Sequence, residues 1–187
     1  MTGFEGTLVR VARFLDRHAV PYMVIGGVAN LVWGISRATV DVDLTVWVAE
    51  DDIPRLLQSM TAEFELLVED PPGFVRETRV LPAKAPEGFR IDFIFGQLPY
   101  EEMAIKRAVA RKIHGVEIKI CSPEDLIIHK IISERSQDQQ DVRGVIKRIG
   151  SRLDRRYLDP IVRGLASDLE RPEIWERYQD YWREDDN

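Results

Sequence analysis

Residues 37 to 46, RATVDVDLTV, alternate strictly between polar and apolar side chains. Because successive side chains on a β-strand point to opposite faces, this period of two predicts a strand with one polar and one apolar face. Asp41 and Asp43 would then lie next to each other on the polar face. Two carboxylates held this close repel each other unless a cation lies between them. The segment therefore predicts both a sheet and a cation-binding face on that sheet.

A third carboxylate occurs in FRIDFIFG, residues 89 to 96, which also alternates as a strand does. If this strand lies beside the first, Asp41, Asp43 and Asp92 converge. Mg²⁺ prefers such hard oxygen ligands, and a pair of metal ions can activate an attacking oxygen and stabilise a leaving one at phosphorus. The simpler alternatives are a solvated strand face for Asp41 and Asp43 and a turn residue for Asp92.

Two glycines, Gly26 and Gly27, end the short apolar strand YMVIGG and begin the helix GVANLVWGIS. The N-terminus of a helix favours phosphate, and residues without Cβ let a phosphate approach the backbone closely. A tight turn is the simpler explanation for the pair. A dinucleotide-binding fold is excluded because the G-x-G-x-x-G spacing is absent.

The remaining pattern predicts an α/β half followed by a helical half. We expect an α+β fold in which a mixed β-sheet is flanked by helices, with a core at residues 1–120 and a C-terminal helical region at 121–187 that completes a nucleotide cleft. The periodicity predicts helices at 4–19, 51–62, 99–112, 123–136, 138–150, 154–168 and 172–183, and further strands at 74–81 and 116–122.

Composition limits the function classes. With a net charge of −6 over 187 residues, the chain is not coated for non-specific nucleic-acid binding, although a local basic surface can still exist. Cys121 is the only cysteine, which excludes an intrachain disulfide and a cysteine-rich zinc site. The amphipathic N-terminus lacks the apolar core of a signal peptide, and no apolar run reaches membrane-spanning length. We therefore expect a cytoplasmic protein with no membrane partner.

These motifs together resemble the polymerase-β-like nucleotidyltransferase superfamily. Its signature is Gly-Gly or Gly-Ser at a helix start, then an Asp-x-Asp pair, then an aspartate on a later strand. The segment GGVANLVWGISRATVDVDL is most similar to minimal members related to abortive-infection (AbiEii-type) toxin nucleotidyltransferases, in which R-x-T-x-D-x-D recurs. PEDLIIHKIISERSQDQQDV is similar to the same members, so the resemblance extends over about residues 20 to 145.

The resemblance implies metal-dependent transfer of a nucleoside monophosphate from a nucleoside triphosphate, such as ATP, to a hydroxyl, with release of pyrophosphate. It implies two Mg²⁺ ions, with Mn²⁺ as the alternative, and a cognate antitoxin protein as a partner. Its downstream Asp-x-x-Asp makes Asp138 and Asp141 part of the site. The implied catalytic and metal-ligating residues are Asp41, Asp43 and Asp92, and the implied nucleotide-binding residues are Gly26, Gly27, Arg37, Thr39 and Lys130.

Several alternatives stay open at this point. Lys130 could instead extend from an apolar helix to solvent, and Asp138 and Asp141 could simply stabilise a helix start. The fold could serve a non-catalytic antitoxin or regulatory module, or an aminoglycoside-type adenylyltransferase. For an RNA acceptor, transfer RNA above all, the contact surface would be the basic series Arg143, Lys147, Arg148, Arg152, Arg155, Arg156 and Arg163.

Overall fold

The computed structural model describes residues 3–36 and 38–185. The helices are Phe4–Arg17 (α1), Gly26–Trp33 (α2), Ile53–Met60 (α3), Pro71–Thr78 (α4), Pro99–Arg107 (α5), Pro123–Ile131 (α6), Ser136–Ile149 (α7), Arg155–Asp168 (α8) and Pro172–Asp185 (α9). The strands are Tyr22–Val24 (β1), Asp41–Val46 (β2), Glu65–Leu66 (β3), Val80–Lys84 (β4), Arg90–Phe95 (β5), Val109–Ile113 (β6) and Val116–Ile120 (β7).

The strands of the described residues form one mixed sheet in the order β3-β4-β5-β2-β1-β7-β6. β2 runs parallel to β5 and β1 runs parallel to β7, whereas the other neighbouring pairs are antiparallel. The predicted α+β fold, a mixed sheet flanked by helices, is confirmed. Its two central strands, β2 and β5, are the two that alternate most regularly in the sequence.

One face of the sheet forms the apolar core. Phe93 of β5 and Leu44 of β2 are directly paired across the parallel strands, and both are almost fully buried. Phe14 of α1 packs edge-on against Phe64, which packs in turn against Phe93. Burying each such side chain contributes roughly 1.5–3 kcal/mol. Because side chains alternate along β2 and β5, burial of this face leaves their polar side chains on the other one.

The chain folds into two compact units. Among the described residues, the first unit covers 3–28 and 38–121 and contains the sheet. The second covers 29–36 and 122–185. Within the second unit, α6 contacts α7 and α8, and α9 contacts the same two helices. Its core includes the fully buried side chains of Val142, Leu158 and Tyr178.

The predicted strand at residues 74–81 is wrong. Instead, α4 ends at Thr78 and a separate strand, β4, follows. Asp70 caps α4, because its side chain accepts a hydrogen bond from the backbone of Gly73. Prolines in the first helical positions favour the helix further. Arg79, in the left-handed conformation with φ of 59°, then ends it.

The predicted helix at 99–112 is also too long. It ends at Arg107, and residues 109–113 form the edge strand β6. The cause is the following turn, where His114 and Gly115 both have positive φ, 48° and 78°. Two such residues make a tight hairpin turn, which pairs β6 with β7.

None of the helices in the described residues is long and apolar enough to cross a membrane.

Candidate active site

Three carboxylates lie on the polar face of the two central strands. The parallel register pairs Asp43 with Asp92 and places Asp41 opposite Arg90. Each aspartate is half-buried, while the neighbouring Val42 and Ile91 are fully buried on the opposite face. The predicted adjacency of the two strands is confirmed. We call Asp41, Asp43 and Asp92 the aspartate cluster.

The paired glycines lie directly beside this cluster. Gly26 begins α2 with a φ of 61°, and a Cβ added to it would lie 2.2 Å from Oδ2 of Asp43. A Cβ on Gly27 would lie 2.4 Å from Oγ1 of Thr39. Real Cβ atoms do not approach other atoms this closely. The glycines therefore let Asp43 and Thr39 pack against the first turn of α2, a reason for glycine that the sequence did not reveal.

Replacing Gly26 with alanine is expected to disturb both the fold and the site. The left-handed backbone and the contact with Asp43 should together lower the free energy of unfolding by about 1–3 kcal/mol. The displaced Asp43 should also weaken binding of a magnesium–triphosphate complex, measured by calorimetry. Gly115→Ala is the matched control, because Gly115 has φ of 78° with no atom within 4 Å of the added Cβ. Unchanged triphosphate binding by Gly26→Ala would contradict the proximity of α2 to the site.

Arg90 is a cation that contacts the cluster directly, through Asp92. Its Nε donates to both carboxylate oxygens of Asp92 at 3.1 Å, and its Nη2 lies 2.9 Å from Oδ1. The pKa of Arg90 is raised, first by the hydrogen bond and charge of Asp92 and then by the charges of Asp41 and Asp43. Sequence reasoning missed this residue, although it lies two positions before Asp92 on the same strand face.

The chemistry of the donor set fits magnesium, since the cluster offers three carboxylates and no softer ligand. In the present arrangement both oxygens of Asp92 are bound by Arg90. As the side chains of the described residues stand, no group of three or more acidic, histidine or cysteine residues is placed to hold a metal ion. A cation shared by the three carboxylates would therefore compete with Arg90 for the oxygens of Asp92.

Comparison with known families decides the class of this protein. Residues 5–178 match the family described as "Nucleotidyl transferase of unknown function (DUF2204)". The chain belongs to this family. It is therefore a nucleotidyltransferase, as the resemblance predicts, which argues against the non-catalytic alternative. A search of curated protein sequences found no match.

Solved structures confirm the nucleotidyltransferase fold. An antigenic nucleotidyltransferase-like protein from Paracoccidioides brasiliensis is 20% identical, with a TM-score of 0.57 over 94% of this chain and 91% of its own. The antibiotic-resistance factor ANT(2″)-Ia is 13% identical, with a TM-score of 0.56 over 91% of this chain and 97% of its own. The lincosamide antibiotic adenylyltransferase LnuA, bound to lincomycin, is 14% identical, with a TM-score of 0.51 over 78% and 98%.

Lys130 of this nucleotidyltransferase lies in a buried ion network in the second unit. Its Nζ is 2.5 Å from Oδ1 of Asp138 and 2.8 Å from Oδ2 of Asp141, and the three side chains are only 8%, 3% and 4% exposed. Burial alone would raise the pKa of Asp138, but hydrogen bonds from Lys130, Ser133 and Arg135 lower it. The alternative in which Lys130 extends to solvent is wrong. Its contact with phosphate stays a prediction.

Thr39 and Arg37 precede β2 in the motif R-x-T-x-D-x-D. The hydroxyl of Thr39 donates to the carbonyl oxygen of Asp41 at 3.3 Å and lies against Gly27. It is therefore fixed beside the first turn of α2, and its predicted role in nucleotide binding stays a prediction. Arg37 lies outside the described residues, so its predicted role in nucleotide binding stays a prediction.

The predicted RNA-contact series is largely engaged within the second unit. Arg148 donates to the carbonyl oxygen of Gly34 at 2.7 Å, and Arg152 donates to that of Arg148 at 3.2 Å. Three further members stack on aromatic rings with 4.6 Å between the guanidinium carbon and the ring centroid, namely Arg143 on Tyr181, Arg155 on Trp182 and Arg163 on Trp175. Charge reversal in this series would therefore disturb helix packing as well as any RNA contact.

Proposed function

We propose that the chain catalyses metal-dependent transfer of a nucleoside monophosphate from a nucleoside triphosphate to a hydroxyl group. Family membership supports the reaction class. The observation that carries the assignment of residues is the parallel register of β2 and β5, which pairs Asp43 with Asp92 on one face. Asp41 lies two residues before Asp43, so all three aspartates lie on the same face of the sheet.

Asp41 and Asp43 would hold two magnesium ions, with Asp92 as a further ligand to one of them; manganese is the alternative. Bound magnesium supplies positive charge that stabilises the charge developing on the phosphates. Asp92 would also accept the proton of the acceptor hydroxyl as its oxygen bonds to the α-phosphorus. The bond from the α-phosphorus to the bridging oxygen then breaks, and pyrophosphate leaves.

The first turn of α2 would hold the triphosphate. The backbone N–H groups of Gly26 and Gly27 lie at the N-terminus of α2, where the helix dipole favours anions. The Thr39 hydroxyl, beside Gly27, would donate to a phosphate oxygen after turning away from the carbonyl oxygen of Asp41. Arg37 and Lys130 keep their predicted roles in neutralising phosphate charge.

For the acceptor we propose RNA, and transfer RNA in particular, because the motif resembles AbiEii-type toxins. A cognate antitoxin, a cytoplasmic location, ATP as donor and a cleft completed by residues 121–187 belong to the same proposal. A second candidate acceptor is a small-molecule hydroxyl. The similarity in fold to LnuA with lincomycin, and to ANT(2″)-Ia with adenylyl-2″-tobramycin, supports that candidate.

The test is transfer of label from each of the four ribonucleoside triphosphates, labelled at the α-phosphate, with Mg²⁺ or Mn²⁺. Acceptors are transfer RNA, total RNA, a protein lysate, an aminoglycoside and a lincosamide. We expect label in transfer RNA, and none from a γ-labelled triphosphate, because the β- and γ-phosphates leave together. Label on an antibiotic alone would favour the second candidate. Absence of α-label on every acceptor, protein included, would contradict the proposed function.

A further inference from the structure

Arg90 belongs to a row of four charged residues that crosses the sheet. Strand pairing places Glu65, Lys84, Arg90 and Asp41 side by side on successive strands. Arg90 thus lies directly beside the aspartate cluster, and Lys84 lies one strand further away. The Arg90 guanidinium holds both oxygens of Asp92, the oxygens that a bound cation would need.

The ion pair between Arg90 and Asp92 is accessible enough for a bound cation to replace Arg90 at Asp92. The side chain of Arg90 is 51% exposed and that of Asp92 is 22% exposed. Ion pairs this accessible can separate readily, since water screens the attraction and can solvate both partners after separation. The buried pairs of Lys130 differ, because their separation would leave charges without solvent.

We propose that Arg90 is a built-in counter-cation that neutralises the aspartate cluster in the metal-free protein and must release Asp92 before a divalent cation binds. This inference rests on the proposed function. Arg90 is a positioning residue in this scheme, because it acts on the metal through Asp92. Its competition for Asp92 sets the metal affinity and keeps three adjacent carboxylates from destabilising the sheet before metal arrives.

The experiment is titration of the metal-free protein with Mn²⁺ alone, followed by electron paramagnetic resonance of free Mn²⁺. Arg90→Met removes the charge at similar side-chain length and should tighten Mn²⁺ binding about tenfold. Arg90→Lys keeps the charge but lacks the planar fork that holds two oxygens, so it should tighten binding about threefold. Arg90→Met should also melt at a lower temperature than wild type without metal, and Mn²⁺ should reverse that loss.

Lys84→Met is the matched control, because it removes the same charge one strand away from Arg90. Its Mn²⁺ affinity should stay within about twofold of wild type, since exposed charges at that separation are screened. If Arg90→Met does not fold, Arg90→Lys still tests the inference, because it should bind Mn²⁺ more tightly than wild type does. A general charge effect would appear as equal tightening in Lys84→Met and would overturn the inference.

The double variant Asp41→Asn with Asp43→Asn separates this inference from the proposed function. If it loses the Mn²⁺ binding of wild type while Arg90→Met and Arg90→Lys bind as wild type does, the role of Arg90 is overturned and the metal site stands. If wild type binds no more Mn²⁺ than the double variant, both the metal site and the role of Arg90 are overturned.

Discussion

Replacing Asp41 and Asp43 together with asparagine is expected to slow nucleotidyl transfer at least about a thousandfold, because metal stabilisation of transition-state charge is worth several kcal/mol. The variant should fold at least as well as wild type. Asparagine has nearly the same shape, and the substitution removes like charges that lie two residues apart on one strand face. Initial rates of α-label transfer and thermal unfolding without metal measure the two effects.

Asp51→Asn is the control for this loss, because Asp51 is an exposed acid at the start of a helical turn outside the aspartate cluster. It should transfer label at the wild-type rate. A double variant that keeps more than about a tenth of wild-type activity would be incompatible with Asp41 and Asp43 as the principal metal ligands.

Lys130→Met is expected to lower the free energy of unfolding by about 3–5 kcal/mol, because it removes the buried cation that both Asp138 and Asp141 contact. Equilibrium unfolding in urea measures the loss. This expectation differs from that for a lysine whose only role is to contact phosphate, where the free protein would be nearly unaffected.

Lys147→Met provides the comparison, since Lys147 is exposed on α7 and its substitution should change stability by less than about 0.5 kcal/mol. Adding Asp138→Asn and Asp141→Asn to Lys130→Met should recover part of the loss, because the uncompensated charges are then removed. Equal stability of Lys130→Met and Lys147→Met would show that the buried network does not support the fold.

The central strands and their polar face could be predicted from the sequence because alternation is a local property. Residues 41–46 and 90–95 each alternate, and burial of Leu44 and Phe93 on one face requires the aspartates to lie on the other. Their neighbouring position was a conditional prediction. It depended on the crossover between them, which contains Pro-rich and Gly-rich segments with little periodicity.

Other features depend on contacts that a linear pattern does not record. The partner of Lys130 is eight residues away on the next helix, so its position on an apolar helix suggested exposure. Arg90 lies at a polar position of an alternating strand, and such positions usually face solvent. The pattern therefore gives no sign of its hydrogen bond to Asp92. The edge strand β6 follows a helix almost directly, and only the positive φ at His114 and Gly115 marks its turn.

The central claim is that the aspartate cluster binds a magnesium–triphosphate complex. The most direct measurement is calorimetric titration with Mg²⁺ and a triphosphate analogue that cannot be cleaved between the α- and β-phosphates, in the absence of acceptor. Wild type should bind the complex and show a higher melting temperature in its presence. Asp41→Asn with Asp43→Asn should show neither effect while remaining folded. Equal binding and equal melting shifts in the two proteins would contradict the claim.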